Sequence, residues 1–189
     1  TMAMVLTGLG LSPMGLNDIA ATDPDKRKAA HYCGELLMQC LADDLKPRDV
    51  LTREAFINAT RLVAATAGST NAVLHLLAIA HDAGIDLDLE DFDQAARDTP
   101  VIADLKPGGR YTAVELTEAG GTALVARELH VAGMLFDAPT VTGKSLFAEI
   151  AAAKPAASGQ QVVKPVAEAF KPRGGYSILY GNIAPEGCV

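Results

Sequence analysis

The 189-residue chain contains no tryptophan, and aromatic residues make up only 5% of it, although hydrophobic residues reach 49%. Its interior therefore has to be packed mainly from Ala, Leu, Val and Ile, a composition that suits helices laid against a sheet. Long apolar runs are missing as well. The stretch from Ala72 to Ala80 reaches about half of the ~20 residues a membrane-crossing helix requires. No signal-peptide pattern is visible, so a soluble, cytoplasmic protein is expected. Cysteine is scarce: three residues, an odd number, do not make a disulfide framework and fit a reducing compartment. Basic residues are in deficit, 16 against 23 acidic ones, for a formal charge of −7. Binding to a nucleic-acid backbone needs a basic face, which this balance excludes. The one acidic cluster, Asp86 to Asp93, reads as a solvated helix start.

Capping and breaking signals divide the chain into helices. Thr22-Asp-Pro-Asp25 opens one that runs to about Asp43, with Tyr32, Leu36, Leu37 and Cys40 at helical spacing. Thr52 opens a second, whose Phe56, Ala59, Leu62 and Val63 share a face and which stops near Gly68. A third, from about Thr70 to Ala83, is apolar almost all round, predicts burial inside a layered fold, and ends at Gly84. Asp88 to Arg97 reads as a short amphipathic helix, and Val101-Ile-Ala-Asp-Leu105 as a buried strand. Thr112-Ala-Val-Glu115 matches a capping box. Gly120-Gly121 breaks that helix, and another follows from Thr122 to Ala132.

From Ala151 to Gly159 the composition shifts to Ala, Lys, Pro, Ser and Gly, the mark of a surface connection. Beyond it, Val162-Val163 and Tyr176 to Tyr180 are strand-like. The expected architecture is α/β: layered helices around a mostly parallel sheet over residues 1–158, running into the start of a β-rich, barrel-like domain at 159–189. The chain opens inside an apolar helix and closes where a strand begins after Pro185-Glu-Gly187. It is expected to be an internal piece of a longer polypeptide, inactive when isolated.

The chemically suggestive segment is Ala67-Gly-Ser-Thr-Asn-Ala-Val-Leu-His75. Ser69, Thr70 and Asn71 sit at the positive end of an apolar helix, where backbone N–H groups attract anions. They either cap that helix or line a ligand or cluster pocket. Cys33 and Cys40 lie seven apart on one predicted helix, about 10 Å along its axis, too far to share one metal ion at ~2.3 Å. They read as buried small hydrophobes, and Cys188 as structural. His31, His75, His81 and His130 show no metal-ligand spacing.

A rival chemistry is offered by Ala138-Pro-Thr-Val-Thr-Gly-Lys-Ser145. It matches a phosphate-binding P-loop ending in Gly143-Lys144-Ser145 except for Ala in place of the first Gly. Against it, Pro139 removes an amide from the cradle. The strand before it could be only Met134-Leu-Phe136, and no hydrophobic strand ending in a metal-binding Asp follows. A non-catalytic α/β interaction module is the third possibility.

Taken in order, Thr1-Met-Ala-Met-Val-Leu6, Gly10-Leu-Ser-Pro13, Ala67 to His75, Thr99-Pro-Val-Ile-Ala-Asp-Leu-Lys-Pro107, Glu118-Ala-Gly-Gly121, Thr140-Val-Thr-Gly-Lys144 and Gly174 to Pro185 resemble the dihydroxy-acid and phosphogluconate dehydratase family over essentially the whole chain. One departure is Ala67, where that family usually has Gly. The resemblance implies a hydro-lyase that dehydrates a 2,3-dihydroxy carboxylic acid to a 2-keto acid. The wording of Thr99 to Tyr111 is closer to the branch serving branched-chain amino-acid biosynthesis than to the sugar-acid branch. It further implies an iron–sulfur cluster (2Fe-2S) and Mg2+ in the parent enzyme, with a serine base. The ligands and that base fall outside this chain, so no catalytic or metal-binding residue is carried over. The implied partners are a small dihydroxy acid, the rest of the same polypeptide and a second copy in a homodimer, with neither nucleic acid nor membrane. Within this piece, Ser69, Thr70 and Asn71 are expected to line the substrate or cluster pocket.

Overall fold

A computed structural model describes residues 1–189. Helices follow the caps written in the sequence. They are α1 (Met2–Gly8), α2 (Asp25–Ala42), α3 (Pro47–Val50), α4 (Arg53–Ala65), α5 (Asn71–Ala83), α6 (Leu89–Asp98), α7 (Ala113–Ala119), α8 (Gly121–Val131) and α9 (Leu146–Ala152). The Thr52 hydroxyl accepts the Ala55 N–H at the start of α4. At the start of α7 the Thr112 hydroxyl accepts the Glu115 N–H while the Glu115 carboxylate accepts that of Thr112. α5 ends on Gly84 in the left-handed conformation, φ 74°.

α4 is the central element. Its Phe56, Ala59, Val63 and Ala64 belong to one hydrophobic cluster, with Val5, Leu9, Val73, Leu76, Phe92, Tyr176 and Ile178. Its Leu62 and Ala65 belong to a second, with Ile102, Leu116, Val125, Leu129, Leu146, Ile150, Val162 and Val163. α1 crosses α4 so closely that a Cβ on Gly8 would sit 2.8 Å from the Ala59 Cα. Small residues at the crossing let the two backbones meet.

The layered sheet expected from the sequence does not form. Helix accounts for 51% of the residues, and every β pairing is a single bridge: Val101 with Lys171, Ala103 with Val163, Leu105 with Tyr111, Pro139 with Ser145 and Leu179 with Cys188. The molecule described by residues 1–189 is an α-type domain. Val101-Ile-Ala103 is buried and extended as predicted, but its amides do not find a neighbouring strand. Ile102 and Ala103 donate to the Ala65 carbonyl at the end of α4, and Val101 donates to Lys171. The backbone's need for partners is met by a helix end and a loop. The barrel start beyond residue 159 likewise contains no strand. Its Val162 and Val163 fill one cluster and its Tyr176 and Ile178 the other.

Two further expectations are corrected. α5 is not buried all round: Ala72, Val73, Leu76 and Ala80 face the core, while Leu74, at 67% exposure, and His75 face outward. α2 is almost wholly exposed, with only Ala29 buried. Cys33 is therefore exposed rather than buried, and Cys40, half-buried, donates its thiol to the Val141 carbonyl; Cys188, near the end of the chain, is exposed as well. Helical periodicity identifies an apolar face without saying what lies against it.

Candidate functional site

The turn between α4 and α5 opens with Ala67 in the left-handed region, φ 47°. Gly175 makes room for it: a Cβ at 175 would lie 2.2 Å from the Ala67 Cα. The turn is then tied to the start of the chain, where the Thr1 hydroxyl accepts the Ser69 N–H at 2.9 Å. Ser69 caps locally, its hydroxyl accepting the Asn71 N–H at 3.3 Å and its carbonyl that of Ala72. The Val73 N–H goes to the Thr70 carbonyl. The Thr70 N–H and the side chains of Thr70 and Asn71 make no bond within the chain and stand exposed.

Ser69 and Thr70 line a cleft of about 360 Å3, whose other walls come from Asp104 to Gly109, Phe170, Lys171 and Gly175. A smaller space of about 130 Å3, bordered by Thr1, Asp18, Lys106 and Thr122, meets it at Gly68 and Leu105. Asn71 does not line either space, so the three predicted residues divide: two on the cleft wall and one on the adjoining surface.

The cleft's charge follows from its pairs. Asp104 is neutralised by Arg110, whose Nε lies 2.5 Å from the carboxylate; that hydrogen bond, with the neighbouring negative charge, raises the Arg110 pKa above its ordinary value. Lys171 makes no ion pair. The cleft lining thus includes a lysine without an ion-pair partner and, at Thr70, an N–H without an acceptor within the chain, both suited to an anion. Sequence reasoning alone does not single out Lys171 or the Asp104–Arg110 pair. Their only signal is an acid and a base six residues apart around Pro107-Gly-Gly109.

No three His, Cys, Asp or Glu side chains of residues 1–189 converge into a metal-holding group. Cys33 and Cys40 lie on α2, whereas the residues lining the cleft come from other segments. This chain's residues do not fit the ligand set of a cluster or of Mg2+, and no chemical step is assigned through them.

The Gly143-Lys144-Ser145 segment is not a phosphate cradle. Ser145 serves as N-cap of α9, accepting the Ala148 N–H. The loop's interior is filled by its own hydroxyls: Thr140 and Thr142 donate to the buried Glu149 at 2.5 and 2.7 Å. A phosphate entering there would meet a carboxylate. No strand precedes the loop, and Pro139 instead bridges to Ser145.

The cleft stands on a helical scaffold, and comparison with known proteins places the chain in a family. Residues 1–149 match the model of the dihydroxy-acid/6-phosphogluconate dehydratase N-terminal domain, and the chain belongs to that family. All of it aligns with proteins named dihydroxy-acid dehydratase: at 56% identity in Thermus thermophilus, 50% in a Roseiflexus species and 44% in Metallosphaera sedula. In each case it covers 34% of the relative's length, so the chain spans about a third of the curated relatives it matches. No helix is long and apolar enough to cross a membrane.

Proposed function

We propose that this chain forms one wall of the active site of a cytoplasmic dihydroxy-acid dehydratase acting in branched-chain amino-acid biosynthesis. The observation that carries the reading is the 56% identity to a protein of that name along the whole chain. In the reaction, a base takes the proton from carbon 2 and the hydroxyl on carbon 3 leaves as water. The resulting enol gains a proton at carbon 3 and becomes the 2-keto acid. The substrate keeps its carboxylate throughout. This chain's part is to hold that carboxylate, with the Thr70 N–H and hydroxyl, the Asn71 amide on the adjoining surface and the Lys171 ammonium as donors. An iron–sulfur cluster and Mg2+ belong to the same reading, held by residues outside 1–189, as do a division near residue 158 between two domains and assembly as a homodimer.

The test uses the full-length polypeptide with its metals supplied. A branched 2,3-dihydroxy acid should yield a 2-keto acid, detected as its hydrazone; turnover of a sugar acid in preference would move the protein to the other branch of the family, and no product from either would end the dehydratase reading. Thr70→Ala with Asn71→Ala should lower kcat/KM by about 10- to 100-fold, the worth of one or two hydrogen bonds to a charged group. The melting temperature should stay unchanged, because those side chains make no bonds within the chain. Unaltered kinetics would remove the turn from the site.

A further inference from the structure

The smaller space beside the cleft draws its lining from several elements. α1 contributes Ala3 and Met4, α7 contributes Ala113, Leu116 and Thr117, and the turn before α2 contributes Asn17 and Asp18. That turn is fastened to the two helices behind it. The Asp18 carboxylate accepts the Thr122 N–H at 2.7 Å and the Thr122 hydroxyl at 2.6 Å at the start of α8, and the Asp18 carbonyl accepts the Thr117 hydroxyl of α7 at 2.8 Å. The space therefore has a fixed outline.

Most of its polar groups are already engaged. Besides Asp18, Thr117 and Thr122, the Thr66 hydroxyl donates to the Leu62 carbonyl and the Thr1 hydroxyl accepts the Ser69 N–H. Of the polar side chains that line the space, the Asn17 amide and the Lys106 ammonium alone make no bond within the chain. What is otherwise presented to a ligand is the apolar surface of Ala3, Met4, Leu105, Ala113 and Leu116. Its volume is about 130 Å3. An apolar cavity of ~150 Å3 takes a molecule as large as benzene, so a branched alkyl group fits.

We infer that this space receives the alkyl branch on carbon 3 of the dihydroxy acid, and that Ala113 and Leu116 set how large a branch is accepted. The larger cleft holds the donors suited to a carboxylate, Thr70 and Lys171, and the two spaces share Gly68 and Leu105. At that junction a side chain would intrude: a Cβ on Gly68 would lie 3.0 Å from the Thr1 Cγ2 and 3.1 Å from the Val63 Cγ1. A ligand anchored by its carboxylate in the cleft thus extends past Gly68 onto apolar surface. An alkyl branch gains there by leaving water. A chain of hydroxyls would give up water for a lining with few free partners, so the space favours a branched acid over a sugar acid. Ala113 and Leu116 are three apart on α7 and share one of its faces, one small and one large.

The inference rests on the dehydratase reading, and the experiment separates the two. The full-length polypeptide, with its metals supplied, is assayed on two branched 2,3-dihydroxy acids that differ by one methylene on carbon 3, and the ratio of their kcat/KM values is taken. Partial unfolding of a variant lowers both values alike, so the ratio reports the space itself. Ala113→Leu fills the space from an exposed position and should lower the preference for the longer acid by about tenfold or more, the worth of one methylene in a hydrophobic pocket. Leu116→Ala enlarges the space and should raise that preference by a similar factor. If Leu116→Ala does not fold, the Ala113→Leu ratio decides alone. Ratios that stay at the wild-type value, or that move in the same direction in both variants, overturn the inference and leave the dehydratase reading standing. A wild type that turns over neither acid ends the reading and the inference together.

Discussion

Ala67 is where a single side chain shows its cost. At φ 47° its Cβ crowds the backbone, a conformation that costs an L-residue roughly 1–2 kcal/mol and that glycine adopts freely. Ala67→Gly should relieve that strain, offset in part by the greater freedom of glycine in the unfolded chain. The net gain should be about 0.5–1 kcal/mol, a rise of roughly 2 °C in Tm by calorimetry; a fall would show that the Ala67 methyl packs usefully. Gly175→Ala, driven into Ala67, should act in the opposite direction. Tyr176 is a second such position. It is 6% exposed, packs edge-on against Phe92, and its hydroxyl has no hydrogen-bond partner. Burial, with Asp93 nearby, pushes its pKa well above the ordinary 10. The folded state therefore favours the neutral phenol: that contribution is complete below pH 10 and is lost as pH rises from there toward the raised value. Tyr176→Phe should leave stability near pH 7 unchanged or higher by about 1 kcal/mol. It should also extend the folded range upward in pH, read from urea midpoints between about pH 8 and 11; an alkaline midpoint identical to wild type would dissociate Tyr176 from the transition.

Among the elements, what the sequence disclosed was local and what it concealed was not. Thr52, the Thr112–Glu115 pair and Gly84 announced helix ends because a cap is satisfied within three or four residues of itself. The extended, buried character of Val101 to Ala103 was equally legible, since it is written in the side chains. Its partners were not, because Ala65, Val163 and Lys171 are chosen by tertiary packing. The same limit misplaced Cys33 and Cys40 and gave α5 a burial it lacks. Of the residues lining the cleft, Ser69 and Thr70 were singled out from the sequence, while Lys171 comes to it from about a hundred residues away. Glu149 shows the point most sharply. The Thr140–Ser145 loop imitates a nucleotide motif, but its architecture depends on a carboxylate four residues past Ser145, which also accepts the Met14 N–H, 135 residues distant, at 2.6 Å. Glu149→Ala would strand three donors in a buried position and should cost about 3 kcal/mol or more, seen as a lower urea midpoint. ATP should not stabilise the wild type in the same measurement; a nucleotide-dependent rise in Tm would revive the motif.

At the scale of the whole molecule, stability is distributed unevenly and predictably. α4 contributes Phe56, Ala59 and Val63 to one cluster and Leu62 to the other, each 1% exposed or less. It cannot open without parting both, whereas α2 opens against little more than Ala29. Amide exchange followed by mass spectrometry should therefore rank α4 slowest, with α1 and α8 close behind, and α2 fastest among the long helices. Leu62→Ala, at a cost of about 2–5 kcal/mol, should accelerate exchange in both clusters together; an effect confined to one would show that they open independently.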